Sequence, residues 1–253
     1  LHTFKGEAAE DGYGRSVAIS DDNNTIAIGA FRNDAGGSNA GHARVFRKSS
    51  GAWLQMGNDI DGESAGDYSG VSIDLSADGN IIAVGAYLDD NSNGTNKGQV
   101  KVYKFQNNSW VQMGSTIEGQ NYGDEQLGWE VALSADGNIL IASGWKADFG
   151  ETDSGIIRTY SWDGSSWNSI VGPFGTAGGG DKLGADLSIS RNGKNIAIGV
   201  PGFDGDAGDD SGAVRTRSWV TSEGSYSFIG QSEVEGPTSS ALSYNSSSND
   251  GKI

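Results

Sequence analysis

The sequence lacks cysteine altogether and holds only three prolines, two methionines and two histidines in 253 residues. With no cysteine, no disulfide holds the fold together, which leaves burial and hydrogen bonding to stabilise it. With two histidines, His2 near the start and His42 in a loop-like stretch, zinc chemistry and His- or Cys-based nucleophilic catalysis lack parts. Basic residues are scarce as well: 17 Lys and Arg against 33 Asp and Glu give a net charge of −16. A surface so anionic repels phosphates, which argues against nucleic acid as a partner. No apolar run approaches the ~18 residues of a membrane span, so no membrane insertion is expected. Leu1–Lys5 offers neither an initiator Met nor an apolar leader core, and the chain reads as cut or processed from something longer.

Glycine is abundant, at 41 residues, and Asp outnumbers Glu by 23 to 10. A helical protein reverses that ratio, because Asp favours caps and turns while Glu tolerates helix interiors. Self-comparison shows where the surplus goes. The pattern Gly-x-x-apolar-x-apolar-Ser recurs at Gly14–Ser20, Gly70–Ser76, Gly128–Ser134 and Gly184–Ser190, in steps of 56, 58 and 56 residues. A tight turn follows each copy, as in Ala77-Asp78-Gly79-Asn80, and Asn249-Asp250-Gly251-Lys252 keeps the same phase.

Inside a unit the apolar period is two, the signature of strands. Unit two shows four runs: Val71–Leu75, the continuously apolar Ile81–Gly85, Gln99–Tyr103 and Trp110–Met113. Ala27, Ala83 and Ala197 recur on the second strand, as the taper of a propeller blade toward its axis requires. Arg44, Lys101, Arg158 and Arg215 recur every 57 residues on the third, and Trp53, Trp110 and Trp167 on the fourth. The expected fold is all-β: a β-propeller of four-stranded antiparallel blades of about 57 residues. Full units fall at approximately 7–62, 63–119, 120–175 and 176–236, with partial units at 1–6 and 237–253. The partial units either share a fifth blade or belong to a larger ring. The larger ring is preferred, because a shared blade lacks its third strand and leaves an open edge.

The segments Leu127–Ser134, Ile82–Ala86, Ile196–Pro201 and Ser211–Val214 resemble the FG-GAP repeats of integrin α-subunit propellers. The resemblance implies a secreted or cell-surface protein whose blades bind another protein or other domains of the same assembly. Integrin-type blades carry an Asp-x-Asp-x-Asp-Gly calcium loop between their first two strands. Here that loop has shrunk to turns such as Ser76–Asn80, too poor in oxygen for the 6–8 ligands calcium takes, so those sites are not carried over.

The longer loop after the second strand is the better calcium candidate. Asp34, Asp90, Asp148 and Asp204 recur there; unit two offers Asp89, Asp90, Asn91 and Asn93, and unit four Asp204, Asp206 and Asp209. The competing role for the recurrent Asp is to cap its own loop by accepting backbone N–H groups, and it is preferred. Phe31, Tyr87 and Trp145 occupy one phase at the same end. They either cover the seams between blades, the preferred role, or bind a ligand such as a glycan. The function expected is a non-catalytic protein-interaction or structural module with no required cofactor and no catalytic residue. A lectin-like propeller is the second choice and a polysaccharide-active enzyme the third.

Overall fold

The computed structural model describes residues 2–176, 178–206, 208–222 and 225–235. The partial unit expected at 237–253, with its Asn249–Lys252 turn, lies outside the described residues. The described residues contain no helix, and so none long and apolar enough to cross a membrane. They form four antiparallel sheets arranged as a four-blade β-propeller. The first holds β1 (Tyr13–Ile19), β2 (Thr25–Ala30), β3 (His42–Ser49), β4 (Ala52–Gln55) and β5 (Ile60–Asp61). The second holds β6 (Ile73–Leu75), β7 (Ile81–Ala86), β8 (Gln99–Gln106), β9 (Ser109–Gln112) and β10 (Ile117–Glu118). The third holds β11 (Leu127–Leu133), β12 (Ile139–Gly144), β13 (Ile156–Trp162) and β14 (Trp167–Gly175). The fourth holds β15 (Leu187–Ile189), β16 (Asn195–Val200), β17 (Ala213–Ser222) and β18 (Ser225–Glu235).

Blades one and two break their fourth strand in two. β4 and β5 both pair with β3, and β9 and β10 both pair with β8. The break falls at Met-Gly, where Gly57 (φ 68°) and Gly114 (φ 70°) take the left-handed conformation open to glycine. The third blade has no such glycine at that place, and β14 runs unbroken.

The turns between first and second strands share one mechanism. In unit two the Ser76 hydroxyl donates to Asp78 (2.7 Å) and accepts from the Ile81 N–H (2.9 Å), while the Asn80 N–H donates to Asp78 (2.9 Å). Ser20/Asp22/Asn24 and Ser134/Asp136/Asn138 repeat it. These turns also touch one another: the N–H groups of Asp21, Ala77 and Ala135 donate to the carbonyls of Ala77, Ala135 and Arg191, and the Arg191 guanidinium pairs with Asp21.

Three apolar clusters fill the three seams between consecutive blades. Ala27, Val45, Met56 and Ile60 meet Ile73, Leu75, Ile82 and Val84; Val100, Val102, Met113 and Ile117 meet Val131, Leu133 and Leu140; Ile141 and Ile157 meet Ile189, Ile196, Ile198 and Trp219. The recurrent tryptophans lock two of these seams, since the indoles of Trp110 and Trp167 donate to the carbonyls of Met56 (2.7 Å) and Met113 (2.9 Å) in the preceding blade. The small residues of the second strand serve the seams and not the axis. A Cβ on Gly29 would come within 2.1 Å of the Gly70 carbonyl oxygen, and one on Gly85 equally near that of Gly128. The axis belongs to the first strands.

Candidate functional site

β1, β6, β11 and β15 together line a cavity of about 600 Å³ on the propeller axis. Inner strands leave one backbone edge without a strand partner, and here side chains of the neighbouring blade supply the missing groups. The Ser16 hydroxyl donates to the Gly70 carbonyl at 2.8 Å; Ser72 Oγ accepts from the Val131 N–H at 3.0 Å, and Asp74 Oδ2 from the Leu133 N–H at 2.7 Å. Two further carboxylates, Glu130 and Asp186, sit at the phase that holds Ser16 and Ser72 in the first two units.

Glu130 carries the unusual electrostatics. Burial pushes its carboxyl up to about 7, with the charges of Asp186 and Asp74 adding to the rise. The Ser72 hydroxyl, which donates to Glu130 Oε2 at 2.9 Å, and the charge of Arg15 oppose it. Burial also raises the Asp186 carboxyl, against the Leu187 N–H that donates to it at 3.0 Å. Arg15 is exposed on the cavity wall. The cavity thus holds one carboxyl that is partly protonated near neutrality, a second carboxyl beside it, a hydroxyl fixed by two hydrogen bonds and a cation. Those are the parts of acid–base chemistry on a small polar molecule.

The aromatic residues selected from sequence do gather at one end, joined by others that sequence reasoning missed. A run of rings passes from Phe31 through Tyr68, Tyr87 and Trp129 to Trp145, with centroids 5.8, 5.8, 5.2 and 4.3 Å apart in turn. It crosses the first two seams, and Lys182 of the fourth unit stands over the Trp145 ring at 5.7 Å. Tyr68, Gln126 and Lys182 share one phase and one left-handed conformation, and each meets this run, Gln126 by accepting the Trp145 indole N–H at 2.8 Å.

In the long loops the recurrent Asp caps its own loop four times over. Asp34, Asp90, Asp148 and Asp204 each accept, at 2.8–2.9 Å, the N–H of a residue in the left-handed conformation: Asn39, Asn96, Asp153 and Asp210. Asp89 instead points inward and accepts from Gln99 at 2.6 Å, its carboxyl pushed up to about 7 by burial and by Asp67. Asn91 donates to the carbonyls of Gly98 and Gly119, Asn93 to that of Gly119. The basic series is paired: Arg44 with Asp59 and Glu7, Lys101 with Glu63, Arg158 with Glu125, and Arg215 over the Phe203 ring. His42 is no loop residue; it opens β3 and is fully buried.

The axial residues Arg15, Ser72, Asp74, Glu130 and Asp186 escaped the sequence reading because only the apolar positions of the first strand were in phase there. The available signal was the second residue after the repeat glycine, polar in all four units as Ser16, Ser72, Glu130 and Asp186.

A family model described as FG-GAP repeat matches residues 5–46 and 60–103. No curated protein matches the chain. Among solved structures, a 6-phosphogluconolactonase candidate from Bacteroides uniformis ATCC 8492 aligns at 16% identity and a TM-score of 0.56, over 87% of this chain and 54% of that one. Kuenenia stuttgartiensis hydrazine synthase aligns at 15% identity and 0.50, over 80% and 50%. The Pseudomonas aeruginosa periplasmic gluconolactonase PpgL aligns at 16% identity and 0.42, over 86% and 71%. The chain spans about half the length of the first two. At such identities the likeness shows the fold alone. It nonetheless corrects the expectation of a non-catalytic module and of a protein that is no enzyme: structures that share this fold bear the names of enzymes, so blade resemblance gives no ground for excluding catalysis. FG-GAP repeats occur in extracellular and cell-surface proteins. The FG-GAP repeat model thus matches the first two blades, and the third and fourth blades keep the same phase.

Proposed function

We propose that the axial cavity is the active site of an acid–base hydrolase acting on small polyhydroxylated esters of the sugar-lactone class. The observation that carries the reading is the cavity-facing Glu130 carboxyl, raised to about 7 and flanked by Asp186, Asp74 and Arg15. A carboxyl that titrates near the working pH is suited to proton transfer. In this reading Asp186 takes a proton from the attacking water as its oxygen bonds to the ester carbonyl carbon. Arg15 faces the oxyanion, and Glu130 returns a proton to the leaving alkoxide as the acyl C–O bond breaks, giving the hydroxy acid. The substrate class is borrowed from the lactonase name of a structural neighbour, and the cavity is of a volume that suits a monosaccharide-sized ligand. The FG-GAP repeats support a secreted or surface-exposed setting for this chemistry.

Acid release from glucono-δ-lactone, followed with a pH indicator against the spontaneous rate, tests the reading. Acceleration by the native chain that falls at least about 100-fold in Glu130→Gln, the scale of a lost general acid, supports it. No acceleration between pH 6 and 8 overturns it.

A further inference from the structure

A second cluster lies away from the axis, at the start of β3. The register of the broken fourth strand sets it: His42 stands opposite Asp61 and Ala43 opposite Ile60, so Asp59 and Asp61 flank the imidazole. Glu7 joins from the N-terminal stretch. The ligand-bearing atoms of Glu7, His42 and Asp59 all lie within 4.8 Å of one another. His42 Nδ1 is 3.7 Å from Asp59 Oδ2 and 3.8 Å from Asp61 Oδ1.

The imidazole has none of its exposure left and neither ring nitrogen has a hydrogen-bond partner. A buried polar ring without a partner costs free energy unless something satisfies it. The flanking distances are too long for hydrogen bonds, yet they resemble the spacing of ligands around a metal: atoms bound to zinc at ~2.0–2.2 Å stand roughly 3.3–3.6 Å apart. Three carboxylates face one guanidinium here, that of Arg44, which bonds Asp59 (2.8 Å) and Glu7. Carboxylates that ligate a metal are themselves hydrogen-bonded from outside, and Arg44 is placed to do this. The blade does not need the histidine, because the same position holds Gln99, Ile156 and Ala213 in the other units.

We infer that His42, Asp59 and Glu7 form a binding site for a divalent transition-metal ion of the zinc class, with Asp61 in reach as a fourth ligand. Imidazole with carboxylate oxygens selects zinc-like ions over calcium, which takes oxygen alone.

The test uses zinc alone, and then cobalt, on the full chain after removal of metals with a chelator. Calorimetry is expected to show one zinc equivalent bound and a rise in melting temperature, with affinity at least tenfold weaker in His42→Gln and in Glu7→Gln. The cobalt form is expected to show visible d–d absorption that Glu7→Gln diminishes. Glu7 is half exposed, so its variant keeps the test decisive should the buried His42 variant fail to fold. No zinc-dependent heat or stabilisation in the native chain overturns the inference, as does zinc binding that Glu7→Gln leaves unchanged.

Discussion

Arg158 closes a fork on Glu125, Nε to Oε1 at 2.6 Å and Nη2 to Oε2 at 3.0 Å, with the carboxylate wholly buried and the guanidinium nearly so. Glu125 also accepts the Gln120 N–H at 2.6 Å, and Arg158 stands over the Tyr122 ring. Two charges removed from water in this way depend on each other: removing one leaves the other uncompensated. Arg158→Met is therefore expected to destabilise the fold by about 3–5 kcal/mol in urea unfolding, and the double variant Glu125→Leu/Arg158→Met to recover much of the loss. Lys101→Met breaks a pair whose acid, Glu63, is 69% exposed, and is expected to cost under about 1 kcal/mol.

Glu130 makes stability depend on pH in a predictable direction. Its folded carboxyl titrates near 7, above its ordinary value of 4.5, so between these values the folded chain binds more protons than the unfolded one. The stability linked to this group is complete below about 4.5 and is lost as pH rises through 7. Glu130→Gln removes the penalty of ionising the group. The variant is expected to match the native chain near pH 4 and to exceed it by about 2 kcal/mol at pH 8, the pKa displacement being discounted for the group's partial exposure. Parallel melts at the two pH values check this; a difference that does not grow with pH would count against the assignment.

Gly98 makes a parallel bridge to Leu127 across the second seam, with φ at 73°. A Cβ there would stand 2.2 Å from the Leu127 carbonyl oxygen. Gly98→Ala is expected to cost roughly 3 kcal/mol or more, through strain and seam separation together. Gly51→Ala, also left-handed but with open space around its Cβ, is expected to cost about 1 kcal/mol. Chemical denaturation of the two variants compares the terms.

Asp90 and Asp148 make the same cap in different surroundings. If capping is their role, Asp90→Ala and Asp148→Ala each cost about 1 kcal/mol, the same with and without calcium. A calcium-dependent difference confined to Asp90→Ala would instead assign the Asp89–Asn93 loop to metal binding.

Blade length and the antiparallel, four-run plan of each blade were legible in the sequence because each rests on a period that four units repeat. The Ser-x-Asp-x-Asn turn and the Trp110 and Trp167 staples are repeated chemistry, so self-comparison finds them. The axial site was not legible, because it is made where the units differ: the phase holds serine in units one and two and a carboxylate, Glu130 or Asp186, in units three and four. The His42 cluster was hidden for another reason. It depends on a strand break at Gly57 that brings Asp59 and Asp61 back beside β3, and period-two patterning carries no mark of such a return. The second strand misled for a third reason, since a small residue reads alike whether it faces an axis or a neighbouring blade.

The turn-to-turn contacts running from Asp21 through Ala77 and Ala135 to Arg191 have a consequence for how such a chain can change. Each middle turn gives one backbone bond and receives another, so a residue inserted into it disturbs two neighbours at once. Among the described residues, the loops at the opposite end, 31–41, 87–98, 145–155 and the two sides of 201–206 and 208–212, take no part in that chain of contacts, and their sequences already differ in length and content. Copies of the repeat are thus held to a common measure at one rim and released from it at the other, which confines chemical novelty to the aromatic end and the axial wall beneath it.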